Sequence, residues 1–150
     1  MENNIYEINT KTCALISRGV DTTEIIEEDK NFIINKPINK ILNESCEYYG
    51  STLEGRIKGS KKILGMCYKL PIIVESSIEL IFFPTTSPYN ENCCWLSIKN
   101  IKDYKAIDNN VIINFKGNYK ETFSITYESL ENQMFRASKL LFLIKNRKQN

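Results

Sequence analysis

The apolar residues change period at Pro37, and that change decides the class of fold. Before it, "IYEINTKTCALIS" and "TEIIEEDKNFIIN" are rich in β-branched side chains and are separated by Arg18-Gly19-Val20-Asp21, which predicts an antiparallel pair of strands. After it, Ile38, Ile41, Leu42, Cys46 and Tyr49 recur at i, i+3, i+4, i+8 and i+11, the pattern of a short amphipathic helix stopped by Gly50. Ser51-Thr52-Leu53-Glu54 then has capping-box spacing, a hydroxyl for an orphan N–H and a carboxylate placed to reach back, so a second helix is expected to start there.

Downstream, "LPIIVESSIELIFFP" reads as two apolar strands around Ser76-Ser77. In "KDYKAIDNNVIINFKGNYKETFSIT" the turn signals are Asn109-Asn110 and Lys116-Gly117-Asn118. Val111, Ile113 and Phe115 alternate with polar residues, as do Tyr119, Phe123 and Ile125, which predicts a three-stranded meander with one wet face. The chain closes in a helix along Tyr127, Leu130, Met134, Ala137, Leu141 and Ile144, with Glu128 and Glu131 near its start and Lys145, Arg147 and Lys148 near its end, as the helix dipole favours. Strands and helices are segregated instead of alternating. The expectation is an α+β fold with antiparallel strands, a pair of short central helices and a C-terminal helix, in one domain spanning residues 1–150.

A formal charge of +2 conceals an asymmetry: residues 1–50 carry 5 Lys/Arg against 9 Asp/Glu, whereas residues 51–150 carry 15 against 9. Two windows hold five bases each and no acid, one from Gly55 to Val74 and one from Asn132 to Asn150. Such windows point towards a polyanionic partner. The five cysteines are odd in number and lack CxxC spacing, which suits reduced thiols in the cytosol. With no basic leader and no apolar run near ~20 residues, the chain is expected neither to be secreted nor to meet a membrane, and Asn43-Glu44-Ser45 is a chance glycosylation triplet.

The stretch "YYGSTLEGRIKGSKK" gathers the glycines and bases that phosphate binding uses. Gly50 and Gly55 have the gap of a Walker loop, but Arg56-Ile57 follows where Lys-Ser/Thr is needed, and no βαβ unit supports a dinucleotide fingerprint. No cofactor is expected. As a helix, the segment places Leu53, Ile57, Ser60 and Leu64 on one face and Lys58, Lys61 and Lys62 on the other, with Gly55 and Gly59 beside the lysines. The glycines weaken a helix by about 1 kcal/mol each; what they offer is close approach of the backbone to a neighbouring helix or a phosphate. A solvated lysine face and a nucleic-acid contact fit this pattern equally.

An enzyme finds little support. The chain has no histidine, hence neither the usual general base nor the commonest zinc ligand. Cys93 or Cys94 as a nucleophile would lack an imidazole, and both read as small buried hydrophobes. Glu27-Glu28-Asp29 lacks the periodicity of a calcium loop and reads as a solvated turn, and Trp95 reads as core.

Four collinear segments, "CEYYGSTLEGRIKGSKK", "LIFFPTTSP", "CCWLSIKNIKDYKA" and "SLENQMFRA", resemble the competence transcription factor (ComK) family over about Cys46 to Leu141. The resemblance implies a cytoplasmic bacterial activator of DNA-uptake genes. Its expected partners are paired AT-rich boxes in double-stranded promoter DNA, read mainly from the minor groove, further copies of itself as a homodimer assembling on DNA, and an adaptor for a Clp protease. Longer family members carry a further extension past the last shared motif. The residues expected at the DNA are Arg56, Lys58, Gly59, Ser60, Lys61 and Lys62, with the lysines on phosphates and Arg56 in the narrow AT groove. Basic faces binding an acidic protein are the alternative.

Overall fold

The N-terminal strands form within the β-branched runs, with two differences. In "IYEINTKTCALIS" only Thr12–Ser17 is strand. The run "TEIIEEDKNFIIN" is two strands, because Glu28, Asp29 and Lys30 offer nothing apolar to bury and reverse the chain. In the computed structural model, which describes residues 5–149, β1 (Thr12–Ser17) pairs with β2 (Thr23–Glu27), and β2 pairs in turn with β3 (Asn31–Ile34), all antiparallel. The apolar pair after the helices is β4 (Ile72–Glu75) and β5 (Leu80–Pro84), and β6 (Trp95–Ser97) joins the two halves into one six-stranded sheet in the order β3-β2-β1-β6-β5-β4.

A turn of 3-10 helix, Ile98–Asn100, leads into the meander of β7 (Ile101–Ile107), β8 (Asn110–Phe115) and β9 (Lys120–Phe123). Its first turn sits one residue earlier than the Asn-Asn pair suggests, since Asn110 already pairs with Ile107 and Asp108 takes the left-handed conformation at φ +54°. The helices are α1 (Ile38–Tyr48), α2 (Leu53–Leu64) and α3 (Tyr127–Lys148). The architecture is α+β, with the two central helices and the C-terminal helix that the periodicity predicts.

The six-stranded sheet is covered on both faces. Along β5, Leu80 and Phe82 point into a core with Ile38, Ile41 and Leu42 of α1, while Ile81 and Phe83 point into a core with Val111, Ile113 and Phe115 of the meander and Leu130, Ala137 and Leu140 of α3. Alternate side chains serve opposite layers, so a strand between two apolar layers reads as one continuous apolar run. α3 is rotated from its expected face: Gln133 and Leu140 are buried, whereas Tyr127 is 42% exposed. Gln133 is buried because its amide is satisfied there, donating to the carbonyls of Lys69 and Pro84 and accepting from Arg136.

The meander is fastened to the sheet by polar contacts. Asn100 Nδ2 donates to the carbonyls of Thr10 and Thr12 at 2.9 and 2.8 Å, and Lys116 N–H reaches the Asn100 carbonyl at 3.0 Å. Gly117 then passes so close to the β2–β3 turn that a β-carbon there would lie 1.7 Å from the Glu28 carbonyl oxygen. Gly50, with the same φ of +90°, has nothing within 4 Å of such a carbon. Urea denaturation is therefore expected to show Gly50→Ala losing about 1–2 kcal/mol of stability from backbone strain alone, and Gly117→Ala losing on the order of 4 kcal/mol, because backbone must move. Equal losses at the two sites would contradict the close meander contact.

Candidate nucleic-acid interface

α2 is capped and docked by polar contacts at its first turn. Thr52 is its N-cap, accepting from Gly55 N–H at 3.0 Å, and the Asn43 side chain of α1 accepts from Leu53 N–H at 2.9 Å. The cap thus stands one residue later than the capping box suggests. Glu54 instead faces Lys58 at 3.3 Å, with side chains 79% and 74% exposed, a pair that adds a few tenths of a kcal/mol at most. Gly65 ends the helix at φ +68°, its N–H on the Lys61 carbonyl at 2.9 Å. The inner face is Ser60, buried, with Leu53, Ile57, Ile63 and Leu64 half-buried around it.

The outer face is a crest. At about 100° per residue, Lys61, Lys58 and Lys62 are followed around the helix by Gly55 and Gly59, and all three lysines are exposed. A β-carbon at Gly59 would meet nothing within 4 Å, and one at Gly55 would meet only the helix's own Thr52 and Ser51. The glycines therefore make room for no neighbouring helix of the chain. The backbone they bare is open to the outside.

Each flank of the crest falls into a depression. On the Lys61 side a groove of about 300 Å³ runs past Leu53, Ile57 and Trp95 to Tyr68 and Tyr89. Tyr68 is 64% and Tyr89 100% exposed, and the Lys69 ammonium lies 5.7 Å from the Tyr68 ring centre. The two tyrosines were not singled out by sequence reasoning; Tyr68 stands inside the first basic window, where a tyrosine among lysines is the available signal, and Tyr89 has none beyond its place after Pro88.

On the Gly59 side lies a cleft of about 170 Å³, lined by Arg56, Ser60, Ser76 and Lys148 among others. Arg56 is half-buried there, away from the crest, with its Nη2 3.9 Å from Glu75. Hydrogen bonds from the Ser77 hydroxyl and backbone N–H hold the Glu75 carboxyl below the usual range, and Arg56 and Lys148 add to this. The structure thus brings Arg56, Gly59 and Ser60 to the cleft and sets Lys58, Lys61 and Lys62 on the crest beside it.

The other polar candidates are committed elsewhere. Glu27, expected in a solvated turn, is buried and accepts from the Tyr6 hydroxyl at 2.6 Å. Arg136 is held by Gln133. Cys93 and Cys94 are buried free thiols whose pKa is pushed up by burial, the opposite of what activates a nucleophile. Trp95 is a core residue, 3% exposed. Among the described residues no helix is long and apolar enough to cross a membrane.

Comparison with known proteins adds a family to this geometry. The family described as ComK protein matches residues 3–149. The competence transcription factor of Bacillus subtilis (strain 168) is 31% identical over 137 residues, which cover 89% of this chain and 71% of the relative. No solved structure matches the chain significantly.

The open surroundings of Gly59 make a direct stability test. Gly59→Ala adds a methyl group to empty space in a helix interior and is expected to raise unfolding free energy by about 0.5–1 kcal/mol. Gly65→Ala, at a left-handed C-cap, is expected to lower it by about 1 kcal/mol. Loss of stability in Gly59→Ala would mean that this backbone packs against the protein after all.

Proposed function

This chain belongs to the ComK family, and from that premise we propose that it is a transcriptional activator of bacterial genetic competence that binds promoter DNA along α2 and catalyses no reaction. The observation that carries the reading is the outer edge of α2, where three exposed lysines stand beside Gly59, at which a β-carbon would meet nothing within 4 Å among the described residues. Lysines of this kind neutralise phosphates, and a helix side without β-carbons lets main chain approach a sugar-phosphate wall.

The finer reading is that the chain recognises paired AT-rich boxes mainly from the minor groove. A helix about 10–12 Å across cannot enter a groove about 6 Å wide. α2 therefore lies along the groove wall, with Lys58, Lys61 and Lys62 on phosphates, Gly59 against the wall, and Arg56 and Ser60 meeting whatever enters the cleft beneath. The acidic N-terminal third and the basic remainder orient the chain in the field of DNA. A homodimer assembling further on DNA is supported by Phe135 and Phe142, 68% and 63% exposed and seven residues apart on α3, an apolar stripe that a second copy would cover. Residues 1–150 act as one DNA-binding regulatory domain in the cytoplasm, subject to an adaptor that delivers it to a Clp protease.

The test is a binding titration comparing an AT-box promoter fragment with a GC-rich duplex of equal length across a salt series. We expect preference for the AT-box fragment, a log–log salt slope that falls by about 0.9 for each of Lys58→Ala, Lys61→Ala and Lys62→Ala, and weaker binding by the better-folded Gly59→Ala. Binding to neither duplex, with capture of an acidic protein abolished by the same lysine changes, would replace this reading by that of a protein-interaction regulator.

A further inference from the structure

The two acid-free basic windows of the sequence converge on one cleft. Arg56, from the first, and Lys148, from the last turn of α3, line it together with Ser51, Ser60 and Ser76, each of which carries a hydroxyl, and with the bare backbone of Gly59. Among the described residues no carboxylate lines it. Glu75 takes both Ser77 donors on one oxygen and turns the other towards Arg56, and Glu79 is paired with Lys145 at 2.8 Å.

The two cations share one counter-charge, Glu75, and neither makes a hydrogen bond to it. Lys148 Nζ donates to the Ser76 hydroxyl at 2.8 Å, a neutral partner that fixes the ammonium and leaves its charge. Arg56 reaches Glu75 only at 3.9 Å, too far for a hydrogen bond, and its Nε–H is buried with no acceptor among the described residues. An unpaired buried donor costs about 1–3 kcal/mol, and more when it belongs to a charged group. An arginine with an unsatisfied donor, beside a second cation and three hydroxyls, around a space that holds several water volumes of about 30 Å³ each, has the chemistry of an oxyanion site.

We propose that this cleft binds a phosphate group, with the Arg56 guanidinium and the Lys148 ammonium as charged donors, the serines as neutral ones, and Gly59 adding no side chain to the space. Guanidinium and ammonium donors to phosphate make short, charge-assisted bonds, stronger than those between neutral groups. In the complex proposed above the phosphate is one of the DNA backbone; that source rests on the DNA reading, whereas the chemistry of the cleft does not. The site also explains why the C-terminal basic window serves the same surface as α2: α3 carries Lys148 to the far side of the cleft that Arg56 opens.

The chain has four arginines, so its arginine Nε–H signals form a small set in a ¹⁵N–¹H spectrum, and the one lost in Arg56→Lys is that of Arg56. The labelled protein is titrated with an AT-rich duplex in one arm and with inorganic phosphate at constant ionic strength in the other. The Arg56 signal is expected to move and to exchange more slowly with water, and Lys148→Gln, whose remaining spectrum reports an intact fold, is expected to raise the half-saturating concentration about tenfold, the loss of one charged hydrogen bond. Movement with duplex alone assigns a backbone phosphate; movement with inorganic phosphate as well assigns a site that also takes the free ion. An Arg56 signal that neither arm moves overturns the proposal, and if duplex is bound at that point the DNA reading survives without it. Phosphate moving Arg56 in a chain that binds no duplex leaves the cleft standing without the DNA reading.

Discussion

Gln133 is buried two turns into α3, and its amide reaches the carbonyls of Lys69 and Pro84 at 3.0 and 2.9 Å. Those carbonyls belong to the segment that leads out of α2 and to the end of β5, so one side chain fixes the C-terminal helix, the sheet and the exit from α2 relative to one another. Lys69 holds a left-handed backbone at φ +49°, a conformation that a bonded carbonyl helps to keep. Removing the amide would orphan two carbonyls in the interior. The position of the cleft depends on this arrangement, because its two cations sit on the two helices that Gln133 holds in register.

The basic residues of the candidate site stand on helices. α2 is capped by Thr52, bonded at its first turn by Asn43 of α1, and closed by Gly65. Its lysine crest therefore stands on a fixed base, and of the glycines that weaken the helix Gly55 is exposed and Gly59 is half-buried, lining the cleft. At Gly59 the helix gives up stability while a β-carbon there would find nothing within 4 Å among the described residues, and a local rule broken without an internal gain marks a candidate binding surface.

Elements were legible in the sequence wherever the signal was local. The period change at Pro37, the β-branched N-terminal runs, the alternation along the meander and the apolar spacing of the C-terminal segment each depend on residues a few places apart, and each appears in the fold. What escaped was polar burial satisfied from a distance. Gln133 and Glu27 look like surface residues until the partners on Lys69, Pro84 and Tyr6 are known. Arg56 and Lys148 likewise occupy separate basic windows, and only the packing of α2 on α3 brings them to one cleft. For the site itself, spacing marked out Lys58, Lys61 and Lys62 as a solvent face and placed Ser60 on the inner side, whereas nothing in it distinguished an arginine turned towards Glu75 from one turned outward.

The proposed DNA face is the α2 crest with the cleft beside it. Lysine acetylation of the free protein and of its complex with a promoter duplex, read residue by residue by mass spectrometry, tests it most directly. Lys58, Lys61, Lys62 and Lys148 are expected to lose most of their reactivity in the complex, while Lys30 in the β2–β3 turn and Lys105 and Lys120 on the meander, all exposed, stay reactive. Protection of the meander lysines with the α2 lysines still modified would place the DNA on the other side of the molecule and contradict the account.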